Sequence, residues 1–360
     1  MSPSPVDEDA LYRFVAALGD EPLERARFRV ERVPSGHSNL TFLVHAGTCT
    51  YVLRRPPLGP LPPSAHDVIR EYRFLERLAG TAARVPRPVA ACLDLEVIGA
   101  PFYLMERVDG VVVRRSVPRE LDRPERLRLL SESVVETLAE LHGVDWRGAG
   151  LDAIAPTSGF LERQLRRWQG LWEHNRTRPI PEIDRVGAAL EATRPPEQPP
   201  AVVHGDYKLD NLIVAPGERP RVAAIVDWEL ATIGDPLSDL GFLLVFWHDA
   251  DEPLTGPLAL ASATRAEGFL TRLELRERYE RLTGRSTERV WWYCALALWK
   301  LAILFEGSYR RHLAGTSDDP FFAELETGVP FLASRALALV EGRGGSGGTQ
   351  RVALAPGRLD

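Results

Sequence analysis

Cysteine is scarce in this chain: Cys49, Cys92 and Cys294 are the three cysteines among 360 residues. Their odd number, their wide spacing and the lack of a CxxC pair exclude a disulfide framework and a cysteine zinc cage. Residues 1–10 are acidic and rich in proline, whereas a secretory signal would be basic and then apolar. We therefore expect a cytoplasmic protein.

An excess of positive charge and a long apolar run are also missing. The 44 lysines and arginines against 50 acidic residues give a formal charge of −6, so no basic field would attract nucleic acid or anionic lipid. The longest apolar stretch, residues 290–305, is interrupted by Lys300 and is shorter than the roughly 18–20 residues that span a bilayer. We expect a core helix there and neither a nucleic-acid nor a membrane partner.

The pattern of apolar residues changes once along the chain. Short runs rich in β-branched or aromatic residues predict antiparallel strands at 27–33, 40–46, 50–55, 88–93 and 101–107, with helices at 6–19 and 65–79. From about residue 119 the helical period dominates, and further helices are predicted near 236, 258, 273, 287 and 320. Buried strands are predicted at 201–204, 211–214 and 222–227, the last of them central in its sheet.

These patterns predict an α+β chain with two lobes. We expect a sheet lobe over residues 1–107, a mainly helical lobe over 108–341, and a glycine-rich, mobile tail over 342–360. The sequence leaves the oligomeric state open.

Three polar residues stand at the ends of the predicted strands of the second lobe. Asp206 follows His204-Gly205, Asn211 follows Asp206 by five residues, and Asp227 ends the apolar run VAAIV. A carboxylate can accept the proton of a hydroxyl group, and amide and carboxylate oxygens bind the Mg²⁺ that neutralises nucleotide phosphates. Each residue alone could simply cap a turn, but the three at this spacing indicate phosphoryl transfer.

The segments HGDYKLDN and IVDWELATIGDP resemble the aminoglycoside phosphotransferase family over about residues 25–335. The resemblance implies a bilobal fold like that of protein kinases, with ATP, or GTP as an alternative, as the donor. It also implies Asp206 as the catalytic base, Asn211 and Asp227 as Mg²⁺ ligands, and His204 as a support of the catalytic turn. The acceptor would be the hydroxyl group of a small molecule.

By the same resemblance, the first lobe would hold the nucleotide. The turn at residues 34–39 lacks the G-x-G-x-x-G of protein kinases and could be a plain hairpin turn. Its position and its likeness to the family's loop assign phosphate binding to Ser35, Gly36, Ser38 and Asn39. Backbone groups near Glu106 and Val108 would bind adenine.

The predicted strand at residues 50–55 ends in two arginines. Consecutive strand side chains point to opposite faces, so Arg54 and Arg55 cannot both face the nucleotide. We favour Arg54, because the family places its cation there, with Arg55 or a solvated edge charge as the alternatives. Glu71 lies within the apolar stripe of the helix at 65–79, where an unpaired carboxylate costs several kcal/mol. We predict that Glu71 pairs with Arg54, a solvent-facing glutamate being the alternative.

The region after Asp227 bears on the acceptor. Asp235 follows Asp227 by only eight positions, too few for the activation segment of a protein kinase, which favours a small-molecule acceptor. Asp239 is expected to fix the catalytic turn. The acidic run at 248–252 could attract a cationic aminoglycoside, but we favour a solvated loop.

Two further alternatives concern the activity itself. A second resemblance is carried by YVLRRPP together with the two segments above. These segments resemble the kinase-like domain that is fused to acyl-CoA dehydrogenase family members ten and eleven. This resemblance implies that the protein is a hydroxyacyl-CoA kinase, which phosphorylates hydroxyacyl groups in lipid catabolism. The arginine in place of the kinase lysine and the sparse glycine loop would also suit a nucleotide-binding pseudokinase module.

Overall fold

A five-stranded sheet is followed by a larger, mainly helical part. The structure is a computed structural model that describes residues 6–19, 23–33, 39–58, 67–252, 256–316 and 319–342. The predicted tail beyond residue 342, and residues 34–38 of the predicted phosphate loop, lie outside the described residues.

The N-terminal sheet is antiparallel throughout, as the short runs predict. Its strands are β1 (Phe28–Val33), β2 (Leu40–Ala46), β3 (Cys49–Arg55), β4 (Pro88–Cys92) and β5 (Phe102–Glu106). They lie in the order β1-β2-β3-β5-β4, so β3 is the central strand. The side chains at the end of β3 therefore lie in the middle of the lobe.

Three helices cover this sheet: α1 (Glu8–Ala16), α2 (Val68–Leu78) and the short α3 (Leu95–Ile98). The side chain of Asp67 accepts the Arg70 N–H at 2.9 Å, which caps the start of α2. The buried face of α2 carries Phe74 and Leu75 together with Glu71. Both long helices are shorter than the predicted spans, and residues 65 and 66 lie outside the described residues.

The second lobe consists mainly of helices around one large core. They are α4 (Pro124–His142), α5 (Phe160–Asn175), α6 (Pro181–Ala192), α7 (Leu237–Val245), α8 (Arg272–Thr283), α9 (Val290–Leu313) and α10 (Phe321–Glu341). The periodicity predicts this helical lobe but does not separate α5 from α6. The helix predicted near 258 is a 3-10 segment, Gly256–Arg265, with a non-helical break at Ala261.

The long apolar run forms the core helix that we expected. Among the described residues, α9 is the one helix long and apolar enough to cross a membrane by length and composition, yet 78% of its most apolar stretch is buried inside the protein. The indole N–H groups of Trp292 and Trp299 donate to backbone carbonyls of α6, at 3.1 and 2.9 Å. Packing against neighbouring helices thus accounts for its composition.

Four short strands interrupt the helices and carry the polar segments. They are β6 (Ala201–Val203), β7 (Leu212–Ala215), β8 (Arg221–Ile225) and β9 (Thr232–Gly234). Within the described chain they form two separate antiparallel pairs, β6 with β9 and β7 with β8. The prediction of a central strand before Asp227 is therefore wrong, because an apolar run does not reveal how many neighbours a strand has.

The acidic run at 248–252 is only in part the solvated loop that we favoured: Ala250 and Asp251 are exposed, but its two ends are buried. His248 and Glu252 are 2% and 5% exposed, and the Glu252 carboxylate lies 2.5 Å from Arg272 and 2.8 Å from Arg335. This buried cluster ties the segment after α7 to α8 and α10. Charge alone could not reveal it, because the two arginines come from distant parts of the chain.

The Glu252 cluster predicts a stability that depends on pH. Burial alone would raise the pKa of Glu252, but His248, Arg272 and Arg335 lower it from 4.5 to about 2. The resulting stabilisation, about 3 kcal/mol, is present above pH 4.5 and is lost as the pH falls through 2. The difference in unfolding free energy between the wild type and Glu252→Gln should therefore shrink by about 2 kcal/mol between pH 6 and pH 3 in urea titrations.

The exposed neighbour Asp251 provides the control for this prediction. Asp251→Asn should change the unfolding free energy little at either pH, because its carboxylate remains in water in both states. A difference for Glu252→Gln that stays constant from pH 6 to pH 3 would contradict the assignment.

The helices α7 and α9 approach so closely that Gly241 has no room for a side chain. A Cβ atom there would lie 2.7 Å from the backbone carbonyl carbon of Tyr293. Because backbone cannot rotate away, Gly241→Ala should lower the unfolding free energy by about 1–3 kcal/mol in urea titrations. Gly170→Ala in α5, with nothing within 4 Å of its Cβ, should be neutral or stabilise slightly. Equal losses in both variants would contradict this packing argument.

Candidate active site

A buried carboxylate fixes the turn that leads to Asp206. Asp239, in the first turn of α7, accepts the N–H groups of His204 and Gly205, both at 2.7 Å. Gly205 has a φ of +86°, a conformation that glycine adopts without a steric penalty. The chain can therefore turn sharply after β6, and the structural role predicted for Asp239 is confirmed.

His204 supports the same turn from the interior. Its buried ring accepts the Asp206 N–H at Nδ1 (3.3 Å), and its Nε2 lies 3.1 Å from the Val226 carbonyl oxygen. These partners assign the neutral tautomer in which Nε2 carries the proton and donates it to Val226. His204 thus links the turn to the segment before Asp227. Both of its ring nitrogens are thus engaged by backbone groups.

Asp206, Lys208 and Asn211 form one group of contacts. The Lys208 Nζ lies 2.6 Å from both carboxylate oxygens of Asp206. The Asn211 Nδ2 donates to the Asp206 Oδ2 at 2.7 Å and to its backbone carbonyl at 2.9 Å. The side chains of Asp206 and Lys208 are 21% and 17% exposed, so solvent reaches the group. Of the three predicted residues Asp206, Asn211 and Asp227, the structure therefore brings the first two into direct contact.

Lys208 was not among the predicted site residues. Its ammonium also lies over the rings of Phe242 and Phe246, 5.7 and 5.5 Å from their centroids. Burial opposes its charge, but the carboxylates of Asp206 and Asp210 outweigh burial and raise the pKa of Lys208. The sequence could have indicated Lys208 through its position two residues after Asp206. In an extended chain, side chains two residues apart lie on the same face.

Arg54 joins the two lobes. Its Nη2 lies 2.9 Å from the Asp227 Oδ1 and 3.4 Å from the Glu71 Oε1. Glu71, which is 1% exposed, also accepts the Trp228 N–H at 3.1 Å. The predicted pairing of Arg54 with Glu71 is confirmed, and the contact with Asp227 connects it to the segment after β8.

Arg55 points to the other side of β3. Its Nη1 donates to the Ile98 carbonyl at 3.0 Å, and its Nε donates to the Pro56 carbonyl at 3.3 Å. This is the alternation that a strand imposes on consecutive residues. Of the two arginines, Arg54 is therefore the one that faces Asp227.

Asp227 is held as a charged group in a strained backbone. Burial alone would raise its pKa, but Arg54 and then Lys208 outweigh burial, so the pKa of Asp227 is lowered. It is the one non-glycine residue of the described chain with a positive φ, +70°, which costs roughly 1–3 kcal/mol. Such strain persists where surrounding contacts hold it, and the Arg54 guanidinium provides one here.

The atoms at this site that remain available as metal ligands are oxygens, which are hard ligands. The Asn211 amide uses its nitrogen toward Asp206, which leaves its oxygen as an acceptor, and Arg54 occupies one oxygen of Asp227. Among the described residues, no group of three or more His, Cys, Asp or Glu side chains could hold a metal by itself. This set fits Mg²⁺, which proteins bind through one or two carboxylates together with substrate phosphates.

The nucleotide-side residues are described only in part. Ser35, Gly36 and Ser38 lie outside the described residues. Asn39 is 4% exposed, and its side-chain amide has no hydrogen-bond partner among the described residues. The Glu106 N–H donates to the Arg87 carbonyl at 2.9 Å, so that group is already engaged.

Comparison with known proteins places the chain in a family. Residues 29–281 match the model of the phosphotransferase enzyme family. The acyl-CoA dehydrogenase family member 11 of Rattus norvegicus is 36% identical over 330 residues, which cover 88% of this chain and 42% of that protein. The chain thus spans less than half the length of this relative.

Solved structures show the same fold. A protein of Ralstonia eutropha, named as a candidate aminoglycoside phosphotransferase, superposes with a TM-score of 0.76 at 29% identity and covers 94% of this chain and 99% of its own. A ternary complex of a thermostable aminoglycoside phosphotransferase APH(4)-Ia mutant with AMP-PNP and hygromycin B superposes with a TM-score of 0.58 at 17% identity over 94% and 99% of the two chains. The fold is that of the kinase-like phosphotransferases, and the chain belongs to the phosphotransferase enzyme family.

The Arg54 contacts predict a strong coupling in stability. Arg54→Met should lower the unfolding free energy by about 3–5 kcal/mol, because it leaves Glu71 buried without its cation. Adding Glu71→Gln should recover much of that loss, since the buried charge is then gone. Urea titrations of both single variants and the double variant measure the coupling, and strictly additive losses would contradict the pairing.

Proposed function

We propose that this protein is an ATP-dependent kinase that transfers the γ-phosphate to a hydroxyl group of a small molecule. The observation that carries the proposal is the contact group of Asp206, Lys208 and Asn211, on a turn that Asp239 fixes. Family membership supports phosphoryl transfer as the reaction class. In such reactions most of the acceleration comes from positioning and from electrostatic stabilisation of the transferred phosphoryl group.

Asp206 is the proposed general base. Its carboxylate reaches solvent and is oriented by Asn211, so an acceptor hydroxyl could approach it within hydrogen-bond distance. The Lys208 ammonium contacts both oxygens of the same carboxylate. As a flexible cation beside the base, Lys208 would also stabilise negative charge on the phosphoryl group as it moves toward the acceptor.

Asn211 and Asp227 are the proposed ligands of Mg²⁺. The free amide oxygen of Asn211 and the ionised carboxylate of Asp227 are ligands of the kind this ion prefers. When bound, the ion would neutralise the phosphate charge of the nucleotide. The strained backbone of Asp227 directs the carboxylate to one place before any ligand arrives.

The nucleotide would lie between the two lobes. Arg54 is a permanent cation at the end of the central strand, and its planar guanidinium suits phosphate oxygens. The backbone of Val108 makes no hydrogen bond with other described residues, so its N–H and C=O could bind a base edge. AMP-PNP in the APH(4)-Ia complex supports ATP as the donor, with GTP as the alternative.

A small molecule is the proposed acceptor. The segment between Asp227 and Asp235 is short and is occupied by β9, which pairs with β6, so it offers no platform for a polypeptide substrate. The similarity to acyl-CoA dehydrogenase family member 11 supports a hydroxyacyl thioester, and thus a hydroxyacyl-CoA kinase, as the specific activity.

A nucleotide-binding pseudokinase module is the second candidate. The observation that favours it is that both site carboxylates already carry a cationic partner, Lys208 on Asp206 and Arg54 on Asp227. Each cation would have to move for the reaction. Both candidates predict nucleotide binding, and they differ in phosphate transfer.

Asp206→Asn should lower phosphate transfer by about 10²–10⁴-fold, because the amide cannot accept the hydroxyl proton. Transfer from labelled ATP and GTP would be measured against hydroxyacyl-CoA thioesters, aminoglycosides and amino alcohols. The variant should keep its thermal stabilisation by ATP with Mg²⁺, which reports nucleotide binding separately.

The exposed Asp109, which follows β5, provides the matched control. Asp109→Asn removes a carboxylate that is 89% exposed and should leave transfer unchanged. Full transfer by Asp206→Asn would refute the base assignment. Stabilisation by ATP with Mg²⁺ but no transfer to any acceptor class would favour the pseudokinase module.

A further inference from the structure

A narrow cleft adjoins the catalytic turn on the side of α5 and α9. It has about 30 Å³ of free volume, enough for one small polar group. Gly205, the residue before Asp206, lines it together with Thr232 of β9. A ligand group in this cleft would therefore lie directly beside the proposed base.

The charged side chains of the cleft are both cations. Arg167 of α5 and Lys300 of α9 line it, and none of its ten lining residues is acidic. Within the described residues, Lys300 makes no hydrogen bond or ion pair, and its Nζ lies 5.1 Å from the centroid of the Trp168 ring. The cleft thus holds positive charge without a matching carboxylate.

Arg167 is exposed and Lys300 is partly buried, so the cost of burial falls on Lys300. Burial lowers the pKa of Lys300 to about 8, and Arg167 adds to the effect, while the carboxylates of Asp239 and Asp206 oppose it from outside the cleft. A cation kept in such a place without a partner is stabilised when an anion binds beside it.

Lysine is rare in this chain. Of its 44 lysines and arginines only two are lysines, Lys208 and Lys300, and both lie at the proposed site. An ammonium is a compact cation with three rotatable donors, whereas the guanidinium is a larger planar fork. Where every other cation is arginine, two lysines at one site indicate that a compact cation is needed there.

We propose that Lys300 and Arg167 bind an anionic group of the acceptor. The inference rests on the proposed kinase function and narrows its substrate class to hydroxy compounds that carry a carboxylate or a phosphate ester. A polycationic aminoglycoside would meet like charge in this cleft. The acidic run that could have attracted one is in part committed elsewhere, since Glu252 is paired with Arg272 and Arg335.

The two lysines allow a test that does not depend on catalysis. The protein without nucleotide is treated with the neutral acetylating reagent N-hydroxysuccinimidyl acetate at pH 8, and acetylation of Lys300 and Lys208 is followed by mass spectrometry. The probes are 4-hydroxybutanoate and glycerol 3-phosphate, with the uncharged 1,4-butanediol and glycerol as their counterparts. The first probe reports a carboxylate site and the second a phosphate-ester site.

At a probe concentration ten times its Kd, at least one anion should slow acetylation of Lys300 about tenfold, and the uncharged counterparts should not. Arg167→Gln should abolish this protection. Arg166→Gln, which changes the neighbouring arginine paired with Glu162, should retain it. The proposal is overturned if Lys300 is not acetylated in the free protein, if neither anion slows it, if the uncharged compounds slow it equally, or if Arg167→Gln leaves protection intact.

Failure of the kinase function would look different. Asp206→Asn should lose phosphate transfer and keep the protection of Lys300, because the cleft residues are unchanged. Protection of Lys300 in a protein that transfers no phosphate would refute the kinase and leave the anion site standing. Protection confined to Lys208 would place the anion on the nucleotide side and overturn the acceptor site.

Discussion

The arrangement of the site depends on one buried carboxylate. Asp239 has no exposed surface, and its two oxygens take the N–H groups of His204 and Gly205, while Oδ2 also lies 3.3 Å from the Nε2 of His142 on α4. Burial lowers the pKa of His142, so a neutral imidazole suits this position. Hydrogen bonds from three directions offset the desolvation of the charge. The packing of α7 against α9 thereby sets the position of the turn and of Asp206.

Charge pairing extends this arrangement across the two lobes. Lys208 on Asp206 is a pair within the second lobe, whereas Arg54 reaches from the central strand of the first lobe to Asp227 of the second. Arg54 also forms an ion pair with Glu71, so one guanidinium provides the cationic partner of two carboxylates. In the proposed kinase, a phosphate group entering between the lobes would compete with Asp227 for Arg54 and would thereby couple nucleotide binding to the contact between the lobes.

The sequence predicts those features that depend on local pattern. Alternation and helical period locate the sheet, α2 and α9, and the stripe position of Glu71 predicts its partner Arg54. Features that depend on contacts between distant parts of the chain were either not predicted or predicted wrongly. The pairing of β8, the burial of Glu252 among Arg272 and Arg335, and the Lys300 cleft all need residues that only the fold brings together. Lys208 was within reach of the sequence, through its spacing from Asp206.

The two lysines flank the catalytic turn in different electrostatic settings. The Lys208 ammonium contacts both carboxylate oxygens of Asp206 and its pKa is raised, whereas Lys300 has no such partner among the described residues and its pKa is lowered. A cation with a permanent partner orients that partner, and a cation without one is free to bind a ligand. In the proposed kinase, Lys208 would therefore orient the base and Lys300 would bind the anionic group of the acceptor.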